Sequence, residues 1–244
     1  MTIKRIYTNK LAIATLLSLT VGLVILGLLN IYDKGQAEKN ADFINNNSSL
    51  KQINPDDSNQ PNSDNQLIIG NKNAPVTMIE YADYKCPTCG ELHQGAYKKL
   101  REEYIDTGQV NIVFRPYPVY AEDGARALQG SYCAKEQVKF TVFHDAVFNY
   151  MWDNHFKHGD YQKAIDTVLT DSVMKGILKK IDIDYDLYDQ CLKSKKYEEA
   201  YLDDIYLAAP DDIRGTPSFV IAGQTVVGVQ PYEVYKKLIE IELR

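Results

Sequence analysis

Two cysteines separated by two residues are the part of the sequence best suited to chemistry. Cys86 and Cys89 flank Pro87 and Thr88, and thiols at this spacing can close into a small disulfide ring. An apolar run typical of a strand precedes the pair and a segment with helical spacing follows it, so the first sulfur lies where helix N–H groups favour a thiolate. Half of a zinc site is the alternative, but zinc takes four ligands and the sequence has no second pair of this kind. The pattern favours thiol–disulfide exchange.

Each residue of the motif has an expected part in that reaction. A thiolate attacks a disulfide and a second thiolate leaves. We expect Cys86 to be the exposed sulfur with a low pKa, and Cys89 to be the deeper one that leaves and later closes the ring again. Pro87 offers no backbone N–H, and Thr88 places a hydroxyl near the Cys86 sulfur. Lys85 either helps to hold the thiolate or is a solvated charge, and the sequence leaves both readings open.

The composition describes the folded part that must position these groups. The chain has 244 residues, 45% of them hydrophobic, which is ordinary for a globular protein with a core. Its net charge is −6 and its pI is near 5.3. This acidic balance argues against nucleic acid as the main partner.

The N-terminal part indicates a membrane anchor. Three basic residues, Lys4, Arg5 and Lys10, precede an uncharged apolar run over residues 11–31, close to the ~20 residues that a helix needs to cross a bilayer. The basic residues place the N-terminus in the cytoplasm and everything after Asp33 outside. We predict an uncleaved signal anchor over residues 1–33, in a single-pass protein of the cell membrane with its catalytic domain on the extracytoplasmic side. A cleavable signal peptide is the competing interpretation.

Residues 34–66 are dominated by Asn, Ser, Asp, Gln and Pro. Such a composition cannot form a packed core, so we predict a disordered linker. The folded domain is expected over residues 67–244. Its predicted strands lie at 67–70, 76–84, 110–118, 216–221 and 225–228, the last two joined as a hairpin. Its predicted helices lie at 90–104, 121–138, 140–151, 161–169, 173–181, 185–192, 197–207 and from 231 onward.

This order of elements predicts an α/β fold with a helical insertion. The first long strand, its following helix and the next strand form a βαβ unit, which implies parallel strands. Residues from about 120 to 209 show no strand pattern, so they form a helical subdomain inserted into the α/β frame.

The remaining cysteines and the histidines give weaker signals. Cys133 and Cys191 fall in the helical region, and an even cysteine count in an exported protein suggests pairing. Their disulfide would close a long loop and contribute about 4 kcal/mol in the chain-entropy model; two buried free thiols are the alternative. No bound metal and no cofactor are expected, because none of the four histidines has a partner at a spacing typical of zinc. These histidines are His93, His144, His155 and His158.

The folded part resembles the thioredoxin superfamily, and within it the DsbA-like branch. The cysteine motif at a strand-to-helix junction is one match, and Glu80, six residues before Cys86, is another. A third is the stretch 133–140 with His144, Asp145 and Phe148, and a fourth is the sequence of residues 214–217 before the late hairpin. Together with the helical insertion, these matches are specific to the branch. The fold expected overall is a thioredoxin fold with an inserted helical subdomain, preceded by a transmembrane helix and a disordered linker.

The resemblance implies site residues beyond the cysteines. It implies that Pro217 is cis and lies against the cysteine pair, so that the backbone of Thr216 forms a short edge where an extended substrate could pair by strand addition. It also implies that Glu80 lies beneath Cys89 as a buried carboxyl with raised pKa that passes protons; a polar-face strand residue is the alternative. Thr88 stands where the branch often has a histidine.

The implied activity is that of a thiol:disulfide oxidoreductase which introduces disulfides into exported proteins with free thiols. A DsbB-like quinone-linked membrane protein would reoxidise it. A reductase or isomerase of the same fold is the first alternative, and a non-catalytic thioredoxin-like module that binds peptides is the second. No dimerisation domain is evident, which favours a monomer.

Overall fold

The computed structural model describes residues 64–244. The predicted membrane anchor and nearly all of the predicted linker lie outside these residues. Within the part of the chain that is described, no helix has both the length and the apolar character required to span a membrane.

The described residues form one five-stranded mixed sheet. Its order is β1-β3-β2-β4-β5. β2 pairs parallel with β3, as the βαβ pattern predicted, whereas the pairs β1–β3, β2–β4 and β4–β5 are antiparallel. The strands are β1 (Leu67–Gly70), β2 (Val76–Ala82), β3 (Val110–Pro116), β4 (Ser218–Ile221) and β5 (Gln224–Val227). This is the mixed α/β, thioredoxin-like sheet that the resemblance implied.

Eight α-helices accompany the sheet within residues 64–244. They are α1 (Pro87–Gln94), α2 (Ala96–Leu100), α3 (Glu122–Glu136), α4 (Phe140–Asn154), α5 (Asp171–Lys180), α6 (Tyr185–Ser194), α7 (Glu198–Tyr206) and α8 (Tyr232–Glu242). Five of them, α3 to α7, lie between β3 and β4, where the sequence predicted a helical insertion. The Asp184 side chain caps α6 by accepting the N–H groups of Asp186 and Leu187, which explains the acidic start of that helix.

Two helix predictions were wrong in detail. Residues 90–104 do not form one helix: the chain breaks at Gly95, which has φ −105° and ψ −105°, and a π-helical turn (Arg101–Ile105) follows α2. Residues 161–169 form only a short 3-10 turn (Tyr161–Ala164). Tyr161 and Ile165 are exposed, and Ala164 and Leu169 are the buried apolar residues of this stretch, so its buried apolar face is too small to stabilise a helix of marginal length.

A disulfide joins two helices of the insertion. Cys133 on α3 and Cys191 on α6 are bonded, with their Cα atoms 5.7 Å apart. The helices also approach closely one turn earlier, because the hydroxyl of Tyr188 lies 1.8 Å from where a Cβ on Gly130 would be. Only glycine fits at that position of α3.

Candidate active site

The first cysteine of the motif forms the N-terminal cap of α1. Cys86 has an extended backbone, φ −77° and ψ 117°, and its sulfur accepts the backbone N–H of Cys89 at 3.3 Å. Pro87 occupies the first turn, where a missing N–H costs no hydrogen bond. A capping residue satisfies a free N–H of the helix, and here the acceptor is the reactive sulfur itself.

These contacts stabilise the thiolate of Cys86. The hydrogen bond with the Cys89 side chain is the main cause that lowers the pKa of Cys86, and the side chains of Thr216 and Thr88 and the backbone N–H of Cys89 add to it. Burial opposes them, and the resulting pKa is about 6. The Thr88 hydroxyl lies 3.0 Å from the sulfur. Since hydrogen bonds to an ionised acceptor are stronger than neutral ones, this hydroxyl favours the charged form.

The structure corrects one expectation for Cys86. The residue was expected to be exposed, but it is only 1% exposed. The loop before β4 covers it: the carbonyl of Thr216 lies 3.5 Å from the Cys86 sulfur and 3.3 Å from the Thr88 hydroxyl. A substrate sulfur therefore has to approach along this loop.

The second cysteine has the opposite protonation preference. Cys89 is also 1% exposed, and burial raises its pKa well above the ordinary value, with the neighbouring Cys86 adding to the shift. In this structure both cysteines are free thiols. At neutral pH the first sulfur is charged and the second is protonated.

The loop beside the cysteines has the backbone that the resemblance implied. The peptide bond between Thr216 and Pro217 is cis. β4 itself lies between β2 and β5, and the Pro217 carbonyl accepts the N–H of Gly228 at 2.8 Å. Only the backbone preceding Ser218 therefore remains for a substrate to pair with, and Thr216 is half-buried.

A buried polar network anchors the segment that leads into this loop. The Tyr81 hydroxyl donates to Asp211 at 2.6 Å, and the Leu207 carbonyl lies 2.9 Å from the same oxygen. Arg115 on β3 is 3% exposed and pairs with Asp211 at 3.1 Å and with Asp204 at 3.8 Å. Burial raises the pKa of Asp204 to about 6. The network fixes the chain before Thr216 to the centre of the sheet.

The reading of Lys85 as a solvated charge was wrong. The side chain is fully buried, and its Nζ lies 2.5 Å from Asp123 on α3 and 2.5 Å from the Asp166 carbonyl. Asp123 also accepts the N–H groups of Val168 and Leu169 at 2.8 Å. Lys85 is thus half of a buried ion pair that attaches the active-site loop to the insertion, and it is not among the main groups that lower the pKa of Cys86.

Asp83 is a site residue that the sequence reasoning missed. Its carboxylate accepts the N–H groups of Lys85 at 2.9 Å, Val119 at 2.8 Å and Tyr120 at 3.0 Å, and its carbonyl accepts the N–H of Cys86 at 3.0 Å. Burial raises its pKa, and the backbone donors oppose that shift. The sequence did contain a signal for this role: Asp83 lies at the end of a predicted strand, shortly before the cysteine motif, and an Asp at such a position often accepts the N–H two residues later in an Asx turn.

Glu80 is a buried carboxyl on β2. It is 1% exposed, and its Oε2 has no hydrogen-bond partner. Burial, with Asp145 as a smaller cause, raises its pKa to about 8. It is therefore protonated at pH 7, as a proton donor must be. Its neighbours across the sheet are Phe114 on β3 and Phe219 on β4.

The structure brings together residues that sequence spacing did not connect. His93 at the end of α1 lies against His144 and Asp145 on α4, and one ligand atom from each is within 4.8 Å of the others. Burial lowers the pKa of both histidines. Within the described residues, this is the cluster whose donor atoms could hold a metal ion. His155 and His158 take no part in it.

Comparison with known proteins gives a consistent picture. The family model described as "Thioredoxin" matches residues 62–241. The probable disulfide bond formation protein D of Bacillus cereus is 30% identical over 182 residues, which cover 73% of this chain and 79% of that protein. Disulfide bond formation protein D of Bacillus subtilis is 26% identical over 201 residues, covering 81% and 86% of the two chains.

Solved structures show the same fold. Oxidised BdbD from Bacillus subtilis superposes with a TM-score of 0.65 at 23% identity, covering 75% of this chain and 96% of that one. The α-DsbA1 protein of Wolbachia pipientis superposes with a TM-score of 0.59 at 26% identity, covering 73% and 93%.

The Thr88 hydroxyl gives the first prediction. In the reduced protein, thiolate absorbance near 240 nm should titrate with a midpoint near pH 6, the pKa of Cys86. Thr88→Val removes a donor that lowers this pKa, so the midpoint should move to higher pH and the thiolate fraction at pH 6 should fall below one half. Thr107→Val, whose hydroxyl bonds to Glu103 and Tyr104, is the control and should leave the midpoint unchanged. An identical midpoint in Thr88→Val would refute this role.

Glu80 gives a prediction about stability. Because its folded pKa of about 8 exceeds the ordinary value of about 4.3, its contribution to the free energy of unfolding is present below about pH 4 and is lost as pH rises towards 8. Glu80→Gln cannot ionise, so its stability relative to the wild type should increase between pH 5 and pH 8.5, by on the order of 4 kcal/mol. Urea unfolding at both pH values measures this.

The exposed Glu91→Gln on α1 is the matched control for that measurement. It should show a much smaller difference between the two pH values. A pH-independent difference between Glu80→Gln and the wild type would contradict the buried, protonated carboxyl.

Proposed function

The chain belongs to the thioredoxin family and is a DsbA-like thiol:disulfide oxidoreductase, and we propose that it introduces disulfides into exported proteins through Cys86 and Cys89. The observation that supports this direction is the stabilised thiolate of Cys86, with a pKa of about 6. Stabilising the reduced form makes a disulfide a stronger oxidant, as in DsbA. The related proteins named for disulfide bond formation support the same direction.

The reaction starts from the oxidised pair. A substrate thiolate attacks the sulfur of Cys86, the Cys86–Cys89 bond breaks, and Cys89 leaves with the bonding electrons. A second substrate thiolate then attacks the substrate sulfur of the mixed disulfide, and Cys86 leaves as its stable thiolate. The substrate dithiol has become a disulfide, and the enzyme disulfide has become a dithiol. Two electrons have therefore moved from the substrate to the Cys86–Cys89 pair.

Glu80 has a place in the first of these steps. The Cys89 leaving group takes up a proton, because burial raises its pKa well above the ordinary value. A carboxyl that is buried and protonated at pH 7 can supply that proton, directly or through water, and recover it when Cys89 attacks in the reverse direction. Glu80 thus serves as the proton store for the buried sulfur.

The loop before β4 binds the substrate. An extended peptide that pairs with the backbone of Thr216 would run beside the Cys86 sulfur, 3.5 Å from the Thr216 carbonyl. Pro217, the next residue of this loop, is buried. Main-chain pairing accepts many sequences, as a broad oxidase requires.

The location follows from the N-terminal sequence. The apolar run over residues 11–31 anchors the chain in the membrane, and the basic residues before it keep the N-terminus inside. The catalytic domain acts outside, on thiol-containing exported proteins. Electrons pass from the reduced pair to a DsbB-like quinone-linked membrane protein, which restores the disulfide.

An oxidation assay tests the direction of the reaction. Incubated with a reduced, unfolded protein that contains several cysteines, the oxidised chain should form about one substrate disulfide per enzyme molecule. Cys86→Ser should abolish this activity, whereas Cys133→Ser/Cys191→Ser, tested below its unfolding temperature, should retain it. The substrate is separated from the enzyme in acid, and its remaining thiols are then counted with a chromogenic disulfide.

Two other outcomes would overturn the oxidase. Disulfide reduction or isomerisation without net oxidation would identify a reductase or isomerase. The physical reason would be that the Thr88 hydroxyl stabilises the Cys86 thiolate less than a cationic histidine ring at that position would. Peptide binding without thiol exchange would identify a binding module.

Topology is tested by labelling in intact cells. In a Cys86→Ser/Cys89→Ser background, Ser48→Cys in the linker should react with a membrane-impermeant maleimide. Thr2→Cys, before the apolar run, should react only after the cells are opened. Labelling of both positions, or of neither, in intact cells would contradict the proposed anchor.

A further inference from the structure

Two buried imidazoles and a carboxylate meet behind the active-site helix. His93 is 5% exposed and His144 is fully buried. Asp145 follows His144 on α4, and its side chain is 32% exposed. The nearest ligand atoms of the three residues all lie within 4.8 Å of one another.

The polar atoms of this cluster have no hydrogen-bond partners. Both ring nitrogens of His93, both ring nitrogens of His144 and Oδ1 of Asp145 are buried and unpaired. The Nε2 of His93 is 3.5 Å from Asp145 Oδ1, but it does not form an aligned hydrogen bond. An unsatisfied buried polar group costs about 1–3 kcal/mol. One ion could satisfy three of these five atoms at once, one nitrogen from each ring and the carboxylate oxygen.

We propose that His93, His144 and Asp145 bind one divalent transition-metal ion of the Zn²⁺ type. Imidazole nitrogen and carboxylate oxygen are ligands that suit zinc and its neighbours in the first transition series. Two histidines and one carboxylate leave a fourth position for water. All three ligands belong to the described residues, and neither reactive cysteine is among them.

The surroundings of Asp145 fit a metal ligand. Its Oδ2 accepts from Arg101 Nη1 at 3.0 Å, while Oδ1 remains free and faces the histidines. Ligating carboxylates in metal sites are usually held in this way by a second hydrogen bond. Arg101 therefore orients the carboxylate for a ligand on its other oxygen.

The distances bring one pair of ligand atoms to the spacing that a metal ion needs. In a tetrahedral site with bonds of about 2.0–2.1 Å, two ligand atoms on one Zn²⁺ lie about 3.4 Å apart. His93 Nε2 and Asp145 Oδ1, at 3.5 Å, already fit this spacing, and the ligand atoms of all three residues lie within 4.8 Å of one another. Ring rotations would close the remaining gap. The partly exposed Asp145 gives the ion a path from solvent.

The ion would join two parts of the fold. His93 lies four residues after Cys89, on the helix that holds the reactive pair, and His144 belongs to the helical insertion. Coordination would fix α1 to α4. Aromatic rings surround the site: the ring centroid of Phe148 lies 4.7 Å from that of His93, and the ring centroid of Phe114 lies 4.8 Å from that of His144.

Metal binding to the full-length chain tests the site independently of thiol chemistry. The chain is purified without a histidine tag and kept oxidised, so that Cys86 and Cys89 cannot bind the ion. Titration with Co²⁺, followed by its visible absorption and by Zn²⁺ competition, should show one ion per chain. His144→Phe and Asp145→Asn should each weaken binding at least ten-fold.

His158→Gln is the matched control, because this histidine is exposed and outside the cluster. It should bind Co²⁺ as the wild type does. Asp145→Asn changes a partly exposed side chain without changing its size, so this variant should fold. It therefore tests the metal site even if His144→Phe does not fold. Absence of a bound ion, or equal affinity in Asp145→Asn and the wild type, would overturn the site.

Discussion

The sulfur of Cys86 caps the helix that carries its partner, and the rest of the site depends on this contact. The cap places the sulfur at the positive end of α1, next to the N–H of Cys89. Hydrogen bonds from Cys89, Thr216 and Thr88 then offset the cost of burying a negative charge. The same burial keeps Cys89 protonated. One cap thus separates the protonation states of two thiols that are neighbours on the helix.

The sheet and the helical insertion hold this cap in place through buried polar groups. Asp83 fixes the turn before Cys86, and the ion pair of Lys85 with Asp123 attaches that turn to α3. Arg115 and Tyr81 fix the segment that leads into Thr216. A buried charge without its partner is costly, so these groups specify the arrangement as well as stabilise it.

Much of this arrangement could be predicted from the sequence. Local patterns indicated the strand–helix junction at the cysteines and the late hairpin, because alternation and turn residues act over a few positions. The family resemblance implied the cis bond before Pro217 and the buried Glu80, which composition alone would not indicate.

What the sequence did not predict depends on distant contacts. Lys85 is buried because Asp123, on another element, faces it, and Cys86 is covered by a loop about 130 residues later. His93 and His144 are far apart in sequence and meet only when α1 packs on α4. Residues 161–169 have helical spacing, but two of their large apolar side chains, Tyr161 and Ile165, remain exposed.

The reduction potential of the Cys86–Cys89 pair, measured by equilibration with glutathione, tests the central claim most directly. The capped thiolate stabilises the reduced form, so we predict a potential far above about −270 mV, the value of thioredoxin, and closer to about −120 mV, the value of DsbA. A potential at or below that of thioredoxin would show that the cap does not make this pair an oxidant.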